Sequence, residues 1–434
     1  GDVVFDGFCG SGMTGVAAQL CGDESVVREL GYSVNADGSI EDPTGRLHSH
    51  VGPRRCVLIE LSVAAAFISR GYNTSFSEGR FAQEAQRILS TIEASVRPYY
   101  STRHEQSSQP GLADFVVWSD VFSCESCGRP IVLWNAVMNP TTRRRTSRNE
   151  VPCPHCGYVG DIRRMSREME AYRDPGTGVV ANRVKQEPIF IQYRHGGHKY
   201  EKAPDEEDRA APRECDEAME TLDIAYPVLE MPDGLRKTKD AYRLRGITHT
   251  HHFFSSRSLI AFARLWHESS KYSGQLGHQL RFWLTSGLLG FTRLNRYFES
   301  SYSQVNRYMK GTLYVAPFIS EIRPGYALAG KIRRLSKLRY AREGNALIGT
   351  GSSTQLAIPD NSVDYIFTDP PFGSNIQYSE LNFIWESWLG VRTNAKHEAI
   401  VDEAIGKGKE HYHVLIQNCF REYYRILKPG RWIT

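Results

Sequence analysis

A short apolar run, Val363-Asp364-Tyr365-Ile366-Phe367, leads straight into Thr368-Asp369-Pro370-Pro371-Phe372-Gly373. Its β-branched and aromatic residues predict a strand. The two prolines stiffen the following turn and remove two backbone N–H donors. The strand therefore ends in a carboxylate, Asp369, among backbone carbonyls, with many acceptors and few donors. In an open α/β sheet, ligands bind at the carboxyl ends of strands. Such a pocket suits a planar base with an exocyclic amino group: Asp369 and a carbonyl each take one N–H, and Phe372 stacks on the ring. An ordinary Pro-Pro turn is the plainer reading of the same residues.

The start of the chain supplies a second unit of this kind. Asp2–Asp6 reads as a buried strand, Gly7-Phe8-Cys9-Gly10-Ser11-Gly12 as a glycine turn, and Met13–Leu20 as a helix. Strand, glycine turn and helix form the βα unit that brings backbone close to a ligand. The acid Asp6 precedes the glycines, which suits a ligand amine or ribose better than a pyrophosphate. Cys56–Glu60 is the next strand, and Glu60 at its end is placed to bind ribose hydroxyls or to sit solvated. Residues 22–54 read as a Gly-, Asp- and Pro-rich insertion.

The α/β pattern then lapses until Ala346. With 434 residues, two or three domains are expected. Inside the lapse, Cys124-x-x-Cys127-Gly128 and Cys153-Pro154-His155-Cys156-Gly157 form a C-x2-C-x25-C-x2-C array. Two such knuckles predict four thiolates on one structural Zn2+, with no open position for catalysis. The other five of the nine cysteines are scattered in apolar surroundings, which fits a reducing, cytoplasmic setting. Between the knuckles, Arg143, Arg144, Arg145 and Arg148 make a basic loop, a candidate for phosphate contacts or a solvated face. Residues 201–222, acidic and interrupted by proline, read as a surface linker. Thr248-His249-Thr250-His251-His252 offers three histidines but no carboxylate or cysteine at ligand spacing nearby, so it predicts packing, not metal. Two helices over 256–298 and a cluster of Lys331, Arg333, Arg334, Lys337 and Arg339 suit nucleic-acid tracking or a solvated helix face. The net charge of +4 permits nucleic-acid binding without demanding it. No apolar run reaches the ~20 residues that cross a bilayer, so no membrane is expected.

The chain opens on Gly1 and stops at Thr434 inside a predicted strand, which reads as a fragment cut at both ends. The later helix over 409–427 is predicted to stop at Lys428-Pro429-Gly430.

Taken together, Asp6-Gly7-Phe8-Cys9-Gly10-Ser11-Gly12 resembles the cofactor motif of S-adenosylmethionine-dependent DNA amino-methyltransferases. Asp369-Pro370-Pro371-Phe372 resembles their catalytic D/N/S-P-P-Y/F motif, and Glu60 sits where their ribose-binding acid sits. The middle is similar to a bacterial subgroup with zinc knuckles and a His-His-Phe-Phe segment. The resemblance implies an α/β fold: a Rossmann-like methyltransferase sheet with its cofactor half in 1–80 and its catalytic half in 341–434. A long insertion, 81–340, would interrupt it, with a zinc ribbon near 115–165 and a helical basic region near 245–340. The implied cofactor-binding residues are Asp6, Phe8, Gly10, Ser11, Gly12, Thr14 and Glu60; Asp369, Pro370, Pro371 and Phe372 are the implied catalytic ones. Ser352 or Ser353 stands where a third-strand acid is often found. The implied activity is methyl transfer to the amino group of a flipped-out base in DNA. An Asp at the first motif position leans towards adenine N6 over cytosine N4. RNA or protein-glutamine methylation, and a non-catalytic zinc-ribbon nucleic-acid-binding protein, are the alternatives. Arg143, Arg144, Arg145, Arg333 and Arg334 are the candidate DNA contacts. Restriction or phage-defence proteins are the candidate protein partners.

Overall fold

The computed structural model describes residues 2–107, 109–297, 311–338, 341, 344–374 and 376–434. Arg339 lies outside them.

A parallel sheet of five strands joins the two ends of the chain. Its order is Ala346–Thr350, Arg55–Glu60, Val3–Asp6, Val363–Ile366, Leu427–Ile433. The first strand of the chain is central, with Asp6 beside Leu58 on one side and Phe5 beside Ile366 on the other. The central strands Val3–Asp6 and Val363–Ile366 are largely buried, which calls for helices above and below. Met13–Leu20, Val63–Asn73 and Lys409–Ile426 are helices flanking this sheet. The final strand starts at Leu427, ahead of Lys428-Pro429-Gly430, so those residues lie inside it; a register shift between Val363 and Tyr365 absorbs them as a bulge.

The middle of the chain builds a second, antiparallel sheet. Its path is His198–Lys202, Gln186–His195, Gly111–Ser123, Phe318–Ile322. Four helices cluster with it: Glu78–Tyr100, Ser256–Ser270, Gly274–Gly287 and Pro324–Leu335. Glu78–Tyr100 buries Phe81, Ala85, Ile88, Leu89, Ile92, Val96 and Tyr100, a stripe at three- and four-residue spacing. This core crosses the sequence positions where the insertion was expected to begin and end. Trp388, from the helix after the Pro-Pro turn, packs edge-on against Phe254 and Phe262 and tilted against Trp266. Gln279 donates to the Gly71 carbonyl at 3.0 Å, and Phe282 meets Tyr72 edge-on.

One expectation is corrected. The acidic 201–222 stretch is a helix, Glu206–Glu220, not a linker. Asp205 and Asp208 close a reciprocal capping box at its start, and Cys215 and Met219 are buried one turn apart. Dense charge hid that two-residue apolar stripe. Residues 22–54 are likewise folded, with a short helix and a three-stranded sheet around Val27, Val34 and Ile40.

Candidate functional site

The strand ends Asp6, Glu60 and Thr350 and the turn after Ile366 open on one side of the parallel sheet, as parallel strands must. A cavity of ≈ 370 Å³ lies there. Of the residues predicted to hold a cofactor, Asp6, Phe8, Gly10, Ser11, Thr14 and Glu60 line it. Gly12 does not. It caps the Met13–Leu20 helix at φ 82°, and a Cβ there would strike Ser69 Oγ at 2.3 Å. Its requirement for glycine is a packing one.

The carboxylates hold the loops. Asp6 is 3% exposed; it accepts from Phe8 N–H at 3.0 Å and from the Thr14 hydroxyl at 2.6 Å. Glu60 accepts from Gly10 N–H at 2.8 Å and Ser62 N–H at 2.9 Å. Burial raises both carboxyls above their ordinary range. Gly10 adopts φ 51°, and the space a Cβ would fill is open. Ser352 and Ser353 are on the wall as well, with the Ser353 hydroxyl donating to the Gly7 carbonyl at 2.6 Å.

From the Pro-Pro turn, Asp369 and Pro371 reach the lining, whereas Pro370 and Phe372 do not. Phe372 is 75% exposed. Tyr378 lines the cavity near Asp369, as do Phe8 and Phe367. Asp369 makes no hydrogen bond among the described residues, so its oxygens are free for a ligand.

Sequence reading missed the opposite wall: Tyr378, Asn382, Thr393, His397 and Glu398. Glu398 accepts from Ser379 N–H at 3.0 Å and from its hydroxyl, and burial raises its pKa. Val401 N–H donates to the Gly373 carbonyl at 3.2 Å, and the Tyr412 hydroxyl to the Pro371 carbonyl at 2.8 Å. The first bond ties the Pro-Pro turn to the 398–402 segment and the second ties it to the Lys409–Ile426 helix. A run of isolated polar residues gives no periodic signal, so only their convergence identifies them. Asp6, Glu60, Asp369 and Glu398 put four carboxylates on the wall, and among the described residues no Lys or Arg lines it. Such a cavity favours a cation or amino groups.

The cysteine array closes as its spacing predicts. Cys124 Sγ lies 3.7 Å from Cys156 Sγ, and Cys127 Sγ 3.8 Å from Cys153 Sγ. All four sulfurs fall within 4.8 Å of one another, close enough to share one metal ion. Gly128 and Gly157, at φ 68° and 76°, let each knuckle turn back on itself, with their N–H groups on the Cys124 and Cys153 carbonyls.

The basic residues divide. Arg143 bonds Glu201 at 2.7 Å and covers the Phe190 ring, and Arg145 leans over Phe318. Both fold back on the protein surface. Arg144, Arg148, Arg333 and Arg334 are exposed.

The histidine segment does meet a carboxylate, from 77 residues upstream: Asp174 accepts from His251 Nε2 at 2.8 Å and from His252 Nε2 at 3.1 Å. The three residues bring their ligand atoms within 4.8 Å of one another, close enough to hold a metal ion, and both imidazole Nε2 atoms are engaged by Asp174. His252 Nδ1 accepts from Thr248 N–H at 3.1 Å, so Nε2 carries the proton and is spent on Asp174.

No helix among the described residues is long and apolar enough to cross a membrane. Comparison with protein-family models, with curated proteins and with solved structures finds no match to the chain.

Proposed function

We propose that the chain is an S-adenosylmethionine-dependent amino-methyltransferase with a Rossmann-like methyltransferase sheet, acting on DNA, with adenine N6 as the favoured target. The observation that carries this reading is convergence. The glycine-turn residues and Asp369, more than 350 positions apart, wall one cavity whose charged side chains are carboxylates. A cofactor bearing a sulfonium and an ammonium group fits that charge. The cavity volume lies within the range of about 300–1,000 Å³ usual for such ligands.

When bound, S-adenosylmethionine supplies an electrophilic methyl group. Glu60 is placed for its ribose hydroxyls, the Gly10 backbone for close approach, and Asp6 fixes the turn through Phe8 and Thr14. The target base is extruded from the duplex towards the Pro-Pro turn. Asp369 and a backbone carbonyl of the Pro-Pro turn accept its two amino hydrogens, which favours a more tetrahedral nitrogen with an available lone pair. Tyr378 offers a ring face inside the cavity, and Phe372 one outside it. Holding the reactants in line supplies most of the rate, worth several kcal/mol. The cysteine cluster is assigned one structural Zn2+, away from this chemistry.

The test is incubation of the chain with plasmid DNA and methyl-labelled S-adenosylmethionine, followed by mass spectrometry of the nucleosides. Labelled N6-methyladenine is the expected product. Labelled N4-methylcytosine would keep the mechanism and change the base. Cofactor binding with no label on DNA would move the substrate to RNA or a protein amide, and no cofactor binding would sink the reading.

A further inference from the structure

A second pair of cavities lies in the middle of the chain, away from the strand ends. An outer chamber of ≈ 370 Å³ adjoins an inner one of ≈ 50 Å³, and Arg183, Gln186, Ser256 and Arg293 belong to both walls. The inner volume exceeds the ~10–15 Å³ that one water needs.

Ion pairing leaves these walls with cations to spare. Glu170 and Asp216 are both taken by Arg183 at 2.6 Å, Glu187 by Arg209, and Glu321 by Arg257. Asp174 is occupied by His251 and His252. Arg293 donates to the Gln186 amide oxygen and has no ion pair among the described residues. The same holds for Lys185 and Arg213 on the outer wall. Burial lowers the Arg293 pKa to about 10, which leaves it charged at neutral pH. In the inner chamber, Arg245 spends Nη2 on Asp120 at 2.6 Å while its Nη1 is buried with no partner. An unneutralised buried guanidinium and an unmet buried donor are both costly. A single group with negative charge and several acceptor oxygens relieves both, and the planar guanidinium fork matches phosphate.

We propose that the middle region holds a phosphate-binding site, with Arg293 and Arg245 grasping the phosphate group in the inner chamber and the outer chamber taking the rest of a nucleotide. Trp118 and Phe291 give the outer chamber apolar surface for a base or sugar, and Lys185 adds a charge at its wall. Surplus positive charge on the walls favours an anion as the occupant. The phosphate belongs either to a free mononucleotide or to the 5′ end of a DNA strand. The site does not depend on methyl transfer.

Calorimetric titration of the whole chain decides the matter. The probes are thymidine 5′-monophosphate, thymidine, and a short oligothymidylate with a 5′-phosphate or a 5′-hydroxyl. A pyrimidine keeps the probes distinct from the cofactor expected in the acidic cavity. In at least one pair, the phosphorylated probe should bind about tenfold more tightly or better, and Arg293→Gln should erase that preference. The pair that shows it identifies the source of the phosphate. Lys185→Ala, which removes no internal partner, should weaken the phosphorylated probe several-fold and decides the outcome should Arg293→Gln fail to fold. No binding by any probe, equal binding with and without phosphate, or wild-type affinity in the folded variants would overturn the proposal.

Discussion

Two cavities of equal volume, ≈ 370 Å³, are built from opposite charges. The one at the strand ends is walled by Asp6, Glu60, Asp369 and Glu398; the one in the middle region carries Arg183, Lys185, Arg213 and Arg293. Their charge reaches the wall by different routes. At the strand ends, Asp6, Glu60 and Glu398 are held by backbone N–H and hydroxyl donors, which fix the loops without cancelling the charge, and Asp369 is exposed with its oxygens free of hydrogen bonds among the described residues. In the middle region nearly every carboxylate is spent on an arginine, and the surplus is what faces the space. Volume alone therefore says little about the occupant, whereas the uncompensated charge separates a cationic cofactor from an anionic one.

The largest effect is expected at Asp369. Asp369→Ala should lower methyl transfer at least about 100-fold, as loss of a group aligned with the reacting atoms does, while cofactor affinity stays close to wild type. Retained activity would remove the acidic cavity from the chemistry. Next comes the shared core. Trp388→Ala should cost about 3–5 kcal/mol and leave one cooperative transition in chemical denaturation. Two separated transitions would mean that the acidic and basic regions are independently stable. Cys153→Ser should abolish stoichiometric zinc in elemental analysis and cost upwards of about 4 kcal/mol. Unchanged melting would leave the cysteine cluster without a structural role.

Asp6→Ala should weaken cofactor binding roughly 10- to 100-fold, since hydrogen bonds to a buried charge are lost. The pH dependence runs the same way. Asp6, Glu60 and Glu398 titrate above their ordinary range because burial disfavours the charged form. Their ionisation thus works against folding stability as pH rises through the raised values, and it favours a cationic ligand. Cofactor affinity should fall on acidification, starting above the ordinary carboxylate value of about 4, and a flat profile would discount the charge argument. The smallest effect concerns DNA. Arg144→Ala with Arg148→Ala should reduce the salt dependence of binding by about two charges, and Arg143→Ala, already paired with Glu201, should leave it unchanged. The reverse result would mean that the Glu201 pair opens on DNA.

The parallel sheet was legible because its signals are local. Val3–Asp6, Met13–Leu20 and Lys409–Ile426 follow from apolar runs, glycine punctuation and helical spacing. The cysteine knuckles follow from spacing for the same reason. The Glu206–Glu220 helix was not legible, because two buried residues in fifteen cannot outweigh dense charge. Half of the acidic cavity was also hidden. Tyr378, Thr393 and Glu398 have no motif of their own, and only their convergence on the cavity identifies them.

By itself the sequence determined which backbone stretches become strands and turns, and which acids stand at strand ends, since these depend on residues close in the chain. Only the tertiary structure decided which charges survive. Asp174 meets His251 and His252, Arg143 is spent on Glu201, and Arg293 is left without a counter-ion among the described residues. Coulombic pairing acts through space over a few ångströms, and which side chains come that close is fixed by packing between distant segments.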